Sequence, residues 1–365
     1  MEYRMQSPVG ARTIINDRER DYFAGCSYLG LQSHPAVRQA AIDALARYGL
    51  ATATSRGGYG EHPVYDELDE ELRATFAAER VLYYPSGYMN TIFLVQGQSE
   101  HYERIFVDAS SHFSVLDGMQ TSGKPVTTFR HCDAEDLERQ LRAELRPGER
   151  PLVLSDGVFP VSGEIAPARD YLRLVEAYDG LLALDDAHAS GVLGDNGRGT
   201  LEHWGISSPR ARAAYTLSKA FGGYGGVVAG EAAWIDELDR NSRVYVASSP
   251  PPLPVAAAAA KALHLARTCP EIRQSLRANV AQARAGFRKL GWPLADTPVP
   301  ILCLGVRPGV DLAAIQQGLF ARDICVAHSR SYTSVPEGGA LRVAIFATHT
   351  SEQIERLLAA TAELL

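Results

Sequence analysis

Tyr215-Thr216-Leu217-Ser218-Lys219-Ala220-Phe221-Gly222-Gly223 is the stretch on which the reading of the chain turns. A short apolar run, Ala213-Ala214-Tyr215, leads into small residues and a single lysine, and two glycines follow. A lone lysine is usually a surface charge. This one stands where a strand ends and a tight turn begins. Upstream, Leu181-Leu182-Ala183-Leu184-Asp185-Asp186-Ala187-His188 is an apolar strand that closes on an acid and then a histidine. A lysine on a tight turn, with an acid and an imidazole at the end of a neighbouring strand, suits pyridoxal phosphate chemistry. The lysine forms the Schiff base, and the acid keeps the pyridine nitrogen protonated so that the ring serves as an electron sink.

Around these two stretches the chain alternates between strand and helix patterns. Strands are predicted at 81–84, 104–107, 126–129, 152–155, 181–184, 213–217 and 227–229, and helices at 89–95, 114–121, 134–145, 168–178 and 232–240. Such alternation argues for an α/β fold, a mainly parallel sheet with helices on both faces. Ligands in these sheets bind outside the carboxyl ends of the strands, where Asp185 and Lys219 both fall. Before this region, residues 1–21 read as short and polar, and 36–48 as a helix. A further helix starts near Pro63, with Tyr65, Leu68, Leu72 and Phe76 at helical spacing.

Ser248-Ser249-Pro250-Pro251-Pro252-Leu253-Pro254 is a breaker cluster that marks a change of domain. The expected division is an opening segment over 1–48, a large cofactor-binding domain over 49–250 and a smaller α+β domain over 251–365. That last part reads as helices from 255 to 290, strands at 301–306, 324–327 and 341–346, and a helix at 312–321. Thr350-Ser351-Glu352-Gln353 reads as a capping box opening the final helix.

Composition narrows the function classes. With 365 residues and 46% hydrophobic residues, a sizeable core is expected. A net charge of −7 without long runs of either sign disfavours nucleic acid as a partner. Cys26, Cys132, Cys269, Cys303 and Cys325 are scattered and odd in number, which suggests reduced thiols in the cytoplasm. No signal peptide is read at the N-terminus, and no run has the ~18 apolar residues of a membrane span.

Other residues carry chemistry by type and place. Ser86-Gly87-Tyr88 follows a strand and opens a helix, where backbone N–H groups suit a phosphate. Asp185-Asp186-Ala187-His188 could instead be a partial metal set, but no other cluster has metal spacing, and no metal is expected. Gly222-Gly223-Tyr224-Gly225-Gly226 is a weak match to a dinucleotide loop. Arg342, inside the apolar run Leu341-Arg342-Val343, needs a partner.

Asp185-Asp186-Ala187-His188-Ala189-Ser190-Gly191-Val192-Leu193-Gly194, followed by Gly197-Arg198-Gly199, resembles the α-oxoamine synthase family of fold-type I pyridoxal phosphate enzymes. The resemblance runs from about Tyr22 to the C-terminus. It implies that Lys219 carries the cofactor and moves the Cα proton, that Asp185 pairs with the pyridinium nitrogen, and that His188 meets the phenolic oxygen. It also implies that His112 stacks on the ring, and that Gly87, Tyr88 and Thr216 contact the cofactor. Ser248 would reach the phosphate of a partner subunit, hence a homodimer with shared sites. The implied substrate-binding set is Arg342, which takes the amino acid's carboxylate, with Cys26 and Ser334.

The family reaction is a decarboxylative condensation of an amino acid with an acyl thioester, on coenzyme A or a carrier protein, giving an α-aminoketone. Four positions depart from the family pattern. Cys26 stands for an asparagine, Tyr65 for a histidine, Pro160 for a serine and Ser162 for an aspartate. The residues leave open another pyridoxal phosphate enzyme, such as an aminotransferase or a C–C lyase. A non-catalytic subunit would lack the lysine.

Overall fold

A computed structural model describes residues 2–246 and 248–365. Its centre is a seven-stranded sheet, in the spatial order Arg80–Tyr84, Gly226–Gly230, Ala211–Thr216, Leu181–Asp185, Pro151–Asp156, Arg104–Asp108 and Val126–Phe129. The last five run parallel. Gly226–Gly230 is antiparallel to both its neighbours. Pro151–Asp156 and Leu181–Asp185 are buried along their whole length, as expected for parallel strands covered on both faces. This burial explains why they read as unbroken apolar runs rather than as alternating patterns.

The register of these strands sets the site. Asp156 lies opposite Asp185, and Asp185 opposite Ala214. Two carboxylates therefore arrive side by side at the carboxyl edge, next to the strand that leads into Lys219. The alanine-rich helix Leu253–Thr268 buries Ala256, Ala259 and Ala260 against this core and packs on the helices Pro35–Tyr48 and Pro63–Phe76. Small side chains let it come close, since a Cβ on Gly223 would stand 2.9 Å from the Ala259 methyl. Tyr65, fully buried, donates its hydroxyl to Pro251 O at 2.6 Å and so ties the second of these helices to the proline cluster.

The C-terminal part contributes an antiparallel sheet, Ile301–Gly305, Ala340–Ala344 and Ala327–Ser329. Its final helix, Ser351–Glu363, opens with the expected capping box of Thr350 and Gln353. One stretch left without an element gains one, and one expected strand is corrected. The polar N-terminal stretch forms a hairpin, Arg12–Ile15 with Arg18–Tyr22, turned by Asn16 and Asp17 at φ 51° and 60°. The strand expected at 324–327 breaks at Val326. Ile324–Cys325 joins the N-terminal hairpin in parallel, whereas Ala327–Ser329 joins the C-terminal sheet. The two ends of the chain are therefore knitted together. No helix among the described residues is long and apolar enough to cross a membrane.

Candidate active site

Lys219 sits on a turn that the sequence closes tightly. Leu217 N–H donates to Gly225 O at 3.0 Å, and Gly223 N–H donates back to Leu217 O at 2.8 Å. Gly222 has φ 67°, and a Cβ there would fall 2.4 Å from Gln32 N. Only glycine fits both conditions. Gln32 Nε2 donates to Lys219 O at 2.7 Å, so the N-terminal segment holds the lysine's own carbonyl. Burial pushes the Lys219 amine down, against the opposing pull of Cys26, Asp185 and Asp156. A lowered amine is more fully unprotonated near neutral pH, and so more of it is free to act as a nucleophile or to accept a proton.

Lys219 shares a cavity of about 240 Å³ with Ser86, Gly87, Tyr88, His112, Asp185, His188 and Thr216. Asp185 Oδ1 accepts from Asn90 Nδ2 at 2.9 Å and from Ala187 N–H at 3.1 Å. Asn90 in turn accepts from the Tyr84 hydroxyl at 2.7 Å. Burial pushes the Asp185 carboxyl up, opposed by Lys219 and these hydrogen bonds. Burial and the charge of Asp185 push Asp156 up further. Two adjacent buried carboxyls call for a cation between strand ends and cavity, and a protonated pyridine nitrogen is such a cation.

At His188, in the same cavity, a hydrogen-bond chain fixes a tautomer. Arg342 Nη2 donates to the Tyr28 hydroxyl at 3.1 Å, so Tyr28 donates onward to His188 Nδ1 at 2.7 Å. His188 is held neutral, because burial, Lys219 and Arg342 all push its imidazole down. The proton therefore sits on Nε2, available to an oxygen in the cavity. His112 is also neutral. Burial and Lys219 bring it to about 4. Its Nδ1 accepts from Ser114 N–H at 3.1 Å, which leaves Nε2–H for the Tyr332 hydroxyl at 2.6 Å. Asp156 accepts His112 N–H at 2.8 Å and so fixes the histidine's backbone.

The phosphate end fits as well. Ser86 caps the turn Gly87–Met89 by accepting from Tyr88 N–H, and the helix Asn90–Gln96 continues from it. A Cβ on Gly87 would stand 2.6 Å from Thr216 Oγ1, so this backbone must be bare. A helix start with a close threonine suits a phosphate. Pyridoxal phosphate thus matches the donor set at each end: Gly87, Tyr88 and Thr216 for phosphate, Asp185 for the ring nitrogen, His188 for the phenolic oxygen and Lys219 for the aldehyde.

Arg342 stands behind Tyr28, buried, with Nε on Pro160 O at 2.7 Å and Nη1 on Gly25 O at 3.0 Å. Cys26 Sγ lies 3.5 Å from its Nη2. Two predicted residues lie elsewhere in this subunit. Ser248 lines a separate cavity of about 290 Å³ with Ser55, Arg56 and Tyr83. Ser334 accepts from Val161 N–H at 3.3 Å and lines a third cavity with Ser162, Glu164 and Cys303. Metal-ligand spacing occurs among the described residues at Asp108, His131 and Cys132, where His131 bridges Asp108 and Glu164 at 2.9 and 3.0 Å.

Sequence reasoning missed Asn90, Tyr28 and Tyr332 as parts of the site. Asn90 had one signal, a buried polar residue opening the apolar helix Asn90–Gln96. Nothing in the sequence tied Tyr28 to His188 or Tyr332 to His112.

Comparison with known proteins places this geometry. Residues 24–360 match the family model described as aminotransferase class I and II. The 8-amino-7-oxononanoate synthase of Methylococcus capsulatus is 38% identical over 98% of this chain and 92% of its own length. That of Bacillus subtilis is 32% identical over 97% and 90%. A lysine-to-alanine variant of a serine palmitoyltransferase from S. paucimobilis, solved with a bound PLP–myriocin aldimine, superposes with a TM-score of 0.91 at 26% identity, covering all of this chain and 92% of that one. The chain belongs to the aminotransferase class I and II family of pyridoxal phosphate enzymes, in its α-oxoamine synthase branch.

Proposed function

We propose that this enzyme makes 8-amino-7-oxononanoate. The reaction type is the decarboxylative condensation of an amino acid with an acyl thioester, dependent on pyridoxal phosphate. The product's name then fixes the substrates by carbon count. The amino group at carbon 8 marks the amino acid's Cα, and carbon 9 is its methyl side chain, so the amino acid is alanine. Carbons 1 to 7 come from a seven-carbon acyl group that ends in a carboxylate. The observation that carries the reading is the joined chain Arg342–Tyr28–His188, whose His188 end lines the cavity with Lys219 and Asp185 and so ties a carboxylate grip to a cofactor grip.

Bound pyridoxal phosphate supplies the electron sink that makes Cα acidic. Around it the chain's own groups do the rest. Asp185 would hold the ring nitrogen's proton, and His188 Nε2–H would donate to the phenolic oxygen. Arg342 would orient the amino acid by its carboxylate, and the Lys219 amine would take the Cα proton and return it after carbon dioxide has left. His112 lines the cavity, and the Tyr332 hydroxyl holds its ring at 2.6 Å. Room for the acyl chain is supported by a cavity of about 540 Å³ lined by Tyr22, Ala24, Phe320, Val326, His328 and Arg330. The Arg330 guanidinium suits a terminal carboxylate.

The site is read as shared between two subunits, with Ser248 completing the partner's phosphate site. The test is a product screen by mass spectrometry. Alanine with a seven-carbon ω-carboxyacyl thioester, on coenzyme A or on a carrier protein, is expected to give 8-amino-7-oxononanoate faster than serine or glycine, or a long unsubstituted acyl chain, gives its own aminoketone. Preference for serine with a long chain would overturn the substrate assignment and leave the reaction type standing.

A further inference from the structure

The Arg342 guanidinium is almost fully engaged before any substrate arrives. Nε–H donates to Pro160 O at 2.7 Å, Nη1 to Gly25 O at 3.0 Å, and Nη2 to the Tyr28 hydroxyl at 3.1 Å and to Cys26 Sγ at 3.5 Å. An arginine has five N–H groups, so the remaining one is on Nη1. A carboxylate held by two parallel bonds takes a hydrogen from each terminal nitrogen. One Nη2 contact must therefore give way. Tyr28 is buried and anchored by His188 at 2.7 Å, so it stays. The Cys26 contact is the longer one. Its sulfur is a weak acceptor as a thiol and a full charge as a thiolate.

We propose that Cys26 competes with the substrate's carboxylate for Arg342: its sulfur holds the N–H group that the carboxylate must take, so thiolate and carboxylate exclude each other and amino-acid binding draws a proton onto the thiol. This rests on the reading of Arg342 as the carboxylate-binding residue. The groups that face Cys26 are Arg342 from the strand Ala340–Ala344, Lys219 from its turn, Tyr28 and Tyr22 from the N-terminal segment, and Tyr332 from the loop at 330–339. Burial pushes the thiol up, but Arg342, Lys219 and the hydrogen bonds of Tyr28 and Arg342 outweigh it and bring it down. Tyr22, Tyr28 and Tyr332 are all pushed up and stay neutral phenols. When Lys219 is covalently engaged, Arg342 is the cation that remains beside the sulfur. The asparagine that the family pattern places here has no charge to compete with.

Propionate is the probe, because it offers a carboxylate without an amine and stays ionised between about pH 6 and 9. Its inhibition constant against the amino acid in the holoenzyme is measured across that range for the parent, Cys26→Asn and Cys26→Ser. The alkylation of Cys26 by iodoacetamide, read by peptide mass, is followed in the parent with and without propionate. The constant is expected to rise with pH in the parent, approaching ~tenfold per unit above the thiol's pKa, and to stay flat in both variants. Propionate is expected to slow the alkylation several-fold. Identical pH profiles in parent and variants, or alkylation unaffected by saturating propionate, would overturn the competition. The alkylation arm needs no variant to fold. Propionate inhibiting Arg342→Ala as well as the parent would instead sink the carboxylate reading itself.

Discussion

At the scale of single residues, Lys219, Asp185 and Tyr28 carry the account, and each makes a separate prediction. Lys219→Ala should remain folded and bind the cofactor, yet borohydride treatment should leave no covalent adduct at this position. An adduct on the same peptide would remove Lys219 from the role. Asp185→Asn cannot hold the ring nitrogen's proton, because an amide carries no charge. Its kcat should fall about 100–1000-fold, with melting behaviour close to the parent's. Tyr28→Phe removes the hydroxyl that fixes the His188 tautomer and leaves an Arg342 hydrogen without its acceptor. A loss of about 1–3 kcal/mol in kcat/KM is expected, with a changed pH dependence of the cofactor's absorbance. An unchanged absorbance profile would mean that Tyr28 only fills space. Lys219, Asp185, His188 and Arg342 were legible in the sequence because their motifs are local. Asn90 and Tyr332 were not, because they reach the site across 95 and 220 residues, to Asp185 and from His112.

At the scale of elements, the lysine turn and the junction of the chain ends matter most. Gly222→Ala would put a methyl 2.4 Å from Gln32 N on a backbone at φ 67°. It should cost about 1–3 kcal/mol and weaken cofactor affinity, both readable by melting with and without pyridoxal phosphate. At the junction, His349 is buried and stacked between Phe23 and Phe346, with centroids at 4.1 and 4.9 Å. Its Nδ1 accepts from Phe346 N–H at 2.8 Å and its Nε2 meets Tyr22 O at 3.1 Å, so the ring is neutral. Burial lowers it from the usual 6.5 to about 4. The folded state thus binds fewer protons than the unfolded one between those values. The stability is full above pH 6.5 and is lost as pH falls toward 4, by up to about 3 kcal/mol. Equilibrium unfolding of the parent and His349→Asn at several pH values checks this. A parallel decline in both would assign the acid loss to other groups. The strands and helices of the large sheet were legible almost to the residue, because each carries its own periodic or unbroken apolar pattern. The N-terminal hairpin was not, since its strands, RTII and RERDY, are short and largely polar. Asn16-Asp17 at its turn was the one available signal.

For the molecule as a whole, the sheet brings Asp185, Asp156 and Lys219 to one edge, and the C-terminal sheet joins Arg342 to that site through Tyr28 and His188. That meeting joins strands far apart in the chain. Sequence motifs named the residues, but their mutual geometry belongs to the register and the packing. Ser248 lies in a cavity of its own within the subunit, which is why the shared-site reading makes a test at this scale. Mixing inactive Lys219→Ala with inactive Ser248→Ala subunits should restore activity in the hybrid, if each contributes an intact half. No recovery despite subunit exchange would confine the site to one chain. The reaction class is the centre of the account, and stoichiometry tests it most directly. The holoenzyme is given alanine and a seven-carbon ω-carboxyacyl thioester, and carbon dioxide, free thiol and aminoketone are counted. The account predicts all three in equal amounts, with little change in the cofactor when alanine is supplied alone. Conversion of the cofactor to its pyridoxamine form by alanine alone, with a keto acid released and no thioester consumed, would contradict it.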